Sequence, residues 1–381
     1  MATYHYPILW LIIAALAVGL FAVSSSIGLY WQRLAHEPES GDYVRKQLMQ
    51  LQRLRILLYA LTGILLVGGL SAWALERRQV QLALEETKAK LRAEYKKDQV
   101  WESPDWALAE RDPKAKLIAY GRDLIANTND YFGENGIVRP HSINGLNCQN
   151  CHLDAGARPF GNNYSAVAST YPQMRSRSGT LETIPKRVND CFERSLNGSP
   201  LDTAGREMKA IVAYIEWLGI AVPKGEKPKG VGINQLPYLD RAADPEKGRL
   251  VFEQKCVSCH GADGRGLPMP GTERRYPPLW GPKSYNEAAG LFRLSRFAGY
   301  VKDNMPLGAT HDSPQLTDEE AWDVAAFVNA QPRPKHPFLD TDWPDIAKKP
   351  VDHPFGPFKD TFPEEQHKFG PFGPIAAYYK K

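Results

Sequence analysis

Two stretches near the N-terminus carry no charge: ILWLIIAALAVGLFAVSSSIGLYW over residues 8–31 and ILLYALTGILLVGGLSAWAL over residues 56–75. Each is long enough to cross a hydrocarbon layer of about 30 Å as a helix. Trp10, Tyr30, Trp31, Tyr59 and Trp73 stand near the ends, where interfacial aromatics sit. Between the two stretches lie Arg33, Arg45, Lys46, Arg53 and Arg55, and the positive-inside rule places that segment in the cytoplasm. The expected order is a first transmembrane helix (1–31), a cytoplasmic loop (32–55), a second transmembrane helix (56–75) and a helical stalk (76–109) rich in charged, strongly helix-forming residues. The N-terminus and everything after residue 76 then lie outside. A competing reading makes residues 1–26 a cleaved signal peptide, but MATYHYP contains no Lys or Arg to serve as its basic region.

From residue 110 the pattern becomes globular. Leu117, Ile118, Tyr120, Leu124 and Ile125 recur at helical spacing, and GREMKAIVAYIEWLG (205–219) reads as an amphipathic closing helix. The Gly- and Pro-rich linker PKGEKPKGVGINQLP follows. The plan then repeats. DPEKGRLVFEQK predicts a helix, and LTDEEAWDVAAFVNA predicts another, opened by Thr317 with Glu320 three residues on, a capping-box pattern. The two globular units are expected at 110–235 and 236–335. The tail, 336–381, is rich in Pro, Gly and aromatics and is expected to run extended over them without a catalytic motif.

Cysteine changes this picture most. Four of the five cysteines fall in CQNCH (Cys148, Cys151, His152) and CVSCH (Cys256, Cys259, His260). C-x-x-C-H is the c-type haem attachment pattern: two thiols bond the porphyrin vinyl groups, and the adjacent histidine reaches the iron. Zinc sites pair one C-x-x-C with another or with spaced histidines, whereas here each pair carries its own histidine. Two covalently bound haem c groups are expected. Helix, haem loop, distal segment and closing helix make the class I cytochrome c plan. The fold class is therefore mainly α, with two cytochrome c-like domains in tandem after two transmembrane helices. Haem attachment of this kind happens on the outer side of the bacterial inner membrane, which agrees with the charge-based topology. The net charge is only +4, and no nucleic-acid partner is expected.

Each iron needs a sixth ligand or an open position. For the second haem, Met305 in VKDNMPLG lies 45 residues past His260, a spacing that suits a class I cytochrome; Met269, Lys302 and His311 are alternatives. For the first haem no such element exists. Met174, Met208 and His141 are available, and so is Cys191, the odd thiol, 40 residues past Cys151. A thiolate lowers a haem's potential and needs cations nearby. Arg175, Arg177, Lys186, Arg187 and Arg194 surround it in sequence. A buried structural cysteine beside solvated arginines fits those residues equally well.

YPQMRSRSG, IPKRVNDCFERSLNG, NMPLG and the PFGPF and EEQHKFGPF elements of the tail together resemble the dihaem thiosulfate dehydrogenase family, from about residue 110 to about residue 375. The resemblance implies that the first haem is the active site, held by His152 and a Cys191 thiolate. It implies substrate-site arginines at Arg177 and Arg187, an active-site serine at Ser195, and His260 and Met305 on the second haem. Some members have a lysine before that methionine; this chain has Asn304, so a lysine–methionine exchange is not expected. The implied reaction joins two thiosulfates into tetrathionate and releases two electrons. A membrane acceptor, such as a cytochrome or terminal oxidase, would take them. Two rival readings are an anchored electron-transfer cytochrome without its own substrate and a tetrathionate reductase.

Overall fold

The structure is a computed structural model that describes residues 6–35, 41–337 and 339–380. The chain divides into two units at Thr87/Lys88.

The first unit is helical. Helix α1 spans Tyr6–Ala35 and α2 spans Asp42–Ala93. Both are long and apolar enough to cross a membrane. Leu57, Ile64, Val67 and Leu70 of α2 are exposed, an apolar surface that water disfavours. The segment expected as a loop differs: from Asp42 onward it is already helix. DYVRKQLMQLQRLR contains no Gly or Pro and is dominated by good helix formers, so basic segment, apolar span and charged continuation form one element. Residues 1–5 and 36–40 of the expected spans and loop lie outside the described residues.

The second unit contains two helical cores. In the first, α3 (Ala115–Ala126) crosses α5 (Arg206–Leu218). Phe132, Phe192, Met208, Tyr214 and Leu218 fill the space between them. In the second, α6 (Pro245–Lys255) and α7 (Leu294–Asn304) pack on α8 (Asp318–Ala330) around Phe252, Phe297 and Trp322. The cap predicted for α8 is present: Glu320 N–H donates to Thr317 Oγ1 (3.1 Å), and Thr317 N–H donates to Glu320 Oε2 (2.8 Å). The two cores share a further device. Gly121 of α3 lies against the backbone of Ala210, and Gly248 of α6 against that of Asp323. A Cβ would stand 2.0 Å from Ala210 O at Gly121 and 1.9 Å from Asp323 O at Gly248, far inside van der Waals contact. Gly121→Ala is expected to destabilise the holoprotein by roughly 1–3 kcal/mol, read as a lowered thermal midpoint. An unchanged midpoint would mean the helices part without cost.

Two further regions differ from expectation. Residues 94–109 are not stalk: Trp101 N–H donates to Lys229 O (3.0 Å), and Trp101 and Ala109 are buried in the first core. The tail is not wholly extended. It ends in α9 (Glu364–Phe369) and α10 (Phe372–Tyr379), whose Phe369, Phe372 and Ile375 insert into the second core. EEQHKF and IAAYY supply helix formers between the prolines, and burial of three apolar side chains anchors them. Phe338 and Lys381 of the tail lie outside the described residues.

Helix α7 also joins the cores. Tyr300 donates its hydroxyl to Asn150 O (2.7 Å), inside the first C-x-x-C-H turn. Buried Asn304 donates Nδ2 to Phe160 O (3.1 Å).

Candidate active site

The two C-x-x-C-H turns are built alike. His152 Nδ1 faces Asn162 O at 2.5 Å, and His260 Nδ1 faces Pro277 O at 3.0 Å. A carbonyl can only accept, so each Nδ1 carries the proton and each Nε2 keeps its lone pair. That is the tautomer and restraint an iron-ligating histidine needs. Burial drives His152 down to about 4 and His260 below its ordinary value, so both rings stay neutral. Tyr164 stacks on the His152 ring at 4.4 Å. All five thiols are free, as haem attachment requires. The residues present therefore fit two c-type haems, which Cys148 and Cys151 would bond in one turn and Cys256 and Cys259 in the other.

The distal possibilities separate by position. Met305 closes α7, half-buried against the second core. Lys302 is taken up by Asp318 (2.8 Å) and Leu316 O, while His311 stacks on Phe160 and pairs with Asp303. Met269 is half-buried in the loop after His260. For the first haem, Met174 is 67% exposed on a strand, Met208 is sealed in the core and His141 is exposed.

Cys191 sits differently. Strands β1 (Gln173–Arg175) and β2 (Thr180–Glu182) form a hairpin that the sequence pattern does not reveal, because each strand has three residues. Its turn holds Arg177. Helix α4 (Ile184–Arg194) follows, capped by Thr183 and begun by Pro185. Arg187, Cys191 and Ser195 recur every fourth residue, which puts them on one helix face. That face meets Arg177 and Cys151 and His152 of the first C-x-x-C-H turn around a cavity of about 280 Å³. An ionised sulfur at the neighbouring Cys191 would raise the Arg187 guanidinium above its ordinary value, outweighing the effect of burial. Burial, with Arg187 and Arg194 nearby, lowers Arg177 to about 10, so it too stays cationic at neutral pH.

Four residues of this region carry no sequence signal. Arg293 and Arg296 reach the cavity from the second core. Asp342 and Asp352 come from the tail. Asp342 accepts a bidentate pair from Arg194 (2.6 and 2.8 Å) and lies 3.9 Å from Arg177. Trp343 N–H donates to Arg177 O (2.7 Å). Asp352, 1% exposed, accepts from Arg293 (2.5 and 2.9 Å) and Ser295. Burial alone would raise the Asp352 carboxyl, but Arg293 and Ser295 hold it below the usual range. The tail thus fixes arginines of both cores.

His353 follows in the tail, 6% exposed between Trp343 and Phe355. Burial first, then the Lys349 charge, hold it at about 3. An unfolded histidine titrates near 6.5. The unfolded chain therefore gains a proton below that pH, while the folded chain does not until about 3. This contribution is complete above roughly pH 6.5 and falls by up to about 1.4 kcal/mol per unit below it. Unfolding midpoints of the holoprotein are expected to drop between about pH 7 and about pH 4, and His353→Gln should flatten that slope. Identical slopes would exclude this origin.

Comparison with known proteins agrees with the geometry. The family described as "SoxA/TsdA, cytochrome c domain" matches residues 135–220, and "Cytochrome c" matches residues 245–331. The chain is 40% identical over 239 residues to a thiosulfate dehydrogenase of Allochromatium vinosum, covering 61% of this chain and 81% of that one. It is 36% identical to the Thiomonas intermedia enzyme of the same name, covering 61% and 71%. Among solved structures it is similar to the as-isolated thiosulfate dehydrogenase (TsdBA) from Marichromatium purpuratum, with 30% identity and a TM-score of 0.59. That match covers 70% of this chain and 55% of the longer one. With both cytochrome domains matched and the greater part of such relatives spanned, the chain belongs to the dihaem thiosulfate dehydrogenase family.

Proposed function

We propose that this chain is a membrane-anchored thiosulfate dehydrogenase that joins two thiosulfates into tetrathionate beside Cys191 and passes two electrons outward. The observation that carries the reading is the convergence of Cys191, Arg177, Arg187 and Ser195 on the cavity that contains His152. An electron-transfer cytochrome has no use for an arginine-lined cavity around a thiol. Two dianions must bring sulfur to sulfur, and their repulsion demands cations held in place. Guanidinium forks match sulfonate oxygens, and the enclosed setting of Arg177 strengthens each contact.

The two haems, when bound, accept one electron each and hand them on. The chemistry of the chain itself centres on Cys191. In the resting protein Cys191 would hold the first haem together with His152, and Met305 would hold the second together with His260. Released, the Cys191 sulfur bonds the outer sulfur of one thiosulfate; two electrons leave, and a cysteine S-thiosulfonate remains. The outer sulfur of the second thiosulfate then attacks the sulfur attached to Cys191. The Cys191–sulfur bond breaks, tetrathionate departs and the thiolate returns. Arg177 and Arg187 hold the sulfonates, and Ser195, one turn beyond Cys191 on the same face, donates to the departing group.

The apolar helices α1 and α2 support attachment to the bacterial inner membrane by two spans, with the haem units in the periplasm and a membrane-associated cytochrome or oxidase as acceptor. The test is reduction of the purified oxidised holoprotein by thiosulfate, with reoxidation of the reduced protein by tetrathionate measured in parallel. Haem reduction by thiosulfate is expected. No reduction would overturn the reading, and reoxidation far faster than reduction would favour the reverse reaction.

A further inference from the structure

The turn between β1 and β2, residues 176–179, carries Arg177, and three consecutive tail residues grip it. Asp342 stands 3.9 Å from Arg177 Nε, while its paired bonds to Arg194 fix it against α4. Trp343 donates its backbone N–H to Arg177 O, and the Arg177 guanidinium carbon lies 5.7 Å over the Trp343 ring. That distance is within cation–π reach, and the attraction grows where water is excluded. Trp343 is buried, and only 11% of the Arg177 side chain meets solvent. Pro344 seats on Gly179, where a Cβ would stand 2.6 Å from the proline Cγ. Trp343 itself has a φ of 62°, a region that a bulky residue occupies only where its surroundings hold it there. On the far side, Arg177 Nη1 donates to Ala288 O of the second core (3.3 Å). None of these contacts uses Nη2, and Arg177 lines the cavity with Cys191.

We infer that Trp343 is a positioning residue for thiosulfate binding: with Asp342 and Pro344 it holds the Arg177 guanidinium in the orientation that faces the cavity. The inference rests on the proposed role of Arg177 for the identity of the ligand. A long side chain that rotates freely must be ordered when it binds, and that ordering weakens the complex. A guanidinium already held on a ring, beside a carboxylate and against a carbonyl has little freedom left to lose. The strained backbone at Trp343 is maintained by the same contacts. The tail therefore belongs to the substrate site without touching substrate.

The test uses the full-length holoprotein and two readouts. One is KM and kcat for thiosulfate. The other is the rate at which phenylglyoxal, an arginine reagent, modifies Arg177, followed by peptide mass spectrometry. Trp343→Leu keeps the backbone hydrogen bond and an apolar side chain but deletes the ring. It is expected to raise KM roughly three- to tenfold, the scale of one desolvated cation–π contact. It should also speed Arg177 labelling severalfold and leave the first haem's potential and spectrum unchanged. Trp343→Phe keeps a ring, though a weaker one for a cation, and should fall between. Ile375→Ala loosens the tail where it enters the second core; it should lower the thermal midpoint but change neither KM nor labelling. Unchanged KM in Trp343→Leu, a Trp343→Phe no better than Trp343→Leu, or an equal rise in Ile375→Ala would each overturn the inference. So would a shifted first-haem potential with unchanged KM, which would assign Arg177 to a haem carboxylate instead. Should Trp343→Leu fail to fold, Trp343→Phe decides alone against wild type, and unchanged KM and labelling there would overturn the inference. A wild-type protein that does not oxidise thiosulfate would sink the proposed function; faster Arg177 labelling in Trp343→Leu would still uphold the clamp, and unchanged labelling would sink it as well.

Discussion

Cys191→Gly is expected to keep both haems and lose thiosulfate oxidation by about a thousandfold or more, the scale on which removal of a covalent nucleophile acts. Haem retention follows from position. The attaching thiols sit in two separate turns, whereas Cys191 lies on α4. A glycine inside that helix costs only about 1 kcal/mol, too little to unfold a unit held by two cores. Cys191→Met separates ligation from chemistry. It should restore six-coordination and raise the first haem's potential, since methionine ligation favours the reduced iron. It should not restore turnover, because a thioether cannot form and release the S-thiosulfonate. A methionine variant working near the normal rate would leave the thiol as a ligand only and remove the covalent step.

Arg187→Ala is expected to have the next largest effect. The guanidinium stands one helical turn before Cys191, close enough to be raised by an ionised sulfur there. On the proposed chemistry, removing it would delete a sulfonate contact and leave Cys191 facing two dianions with less compensation. The binding loss alone is roughly 1.5–3 kcal/mol, or more than tenfold in KM, and a fall in kcat should accompany it. Arg177→Ala should act mainly on KM. The Arg177 backbone, not its side chain, receives the Trp343 hydrogen bond, so the tail stays docked. Haem content and absorbance spectra should be unchanged in both variants. Wild-type kinetics in both would return these arginines to the role of solvated charges.

Much of this protein is legible in the sequence because its signals are local. The C-x-x-C-H turns, the Thr317–Glu320 box and the uncharged spans each announce themselves within a few residues. The spacing of Arg187, Cys191 and Ser195 is local too. The remainder depends on distance in the chain. Arg293 and Arg296 lie about a hundred residues beyond Cys191, at the start of a helix that reads only as part of a second cytochrome unit. Asp342 and Asp352 stand in a tail whose prolines mask its role, since an ion pair across 148 residues leaves no periodicity. The Gly121 and Gly248 crossings are equally silent, because a glycine in a helix pattern reads as a weakness until its neighbour is known.

The hydrogen bonds from Tyr300 and Asn304 reach beyond packing. Both belong to the helix that ends at Met305, and they fasten it to Asn150 and Phe160 on either side of His152. The frames that hold the two redox centres are thereby one mechanical piece. Electron passage between them does not wait for a hinge to close, and little nuclear rearrangement accompanies it. Its rate should accordingly be indifferent to solvent viscosity, whereas delivery to an external acceptor, which requires an encounter, should slow as the medium thickens.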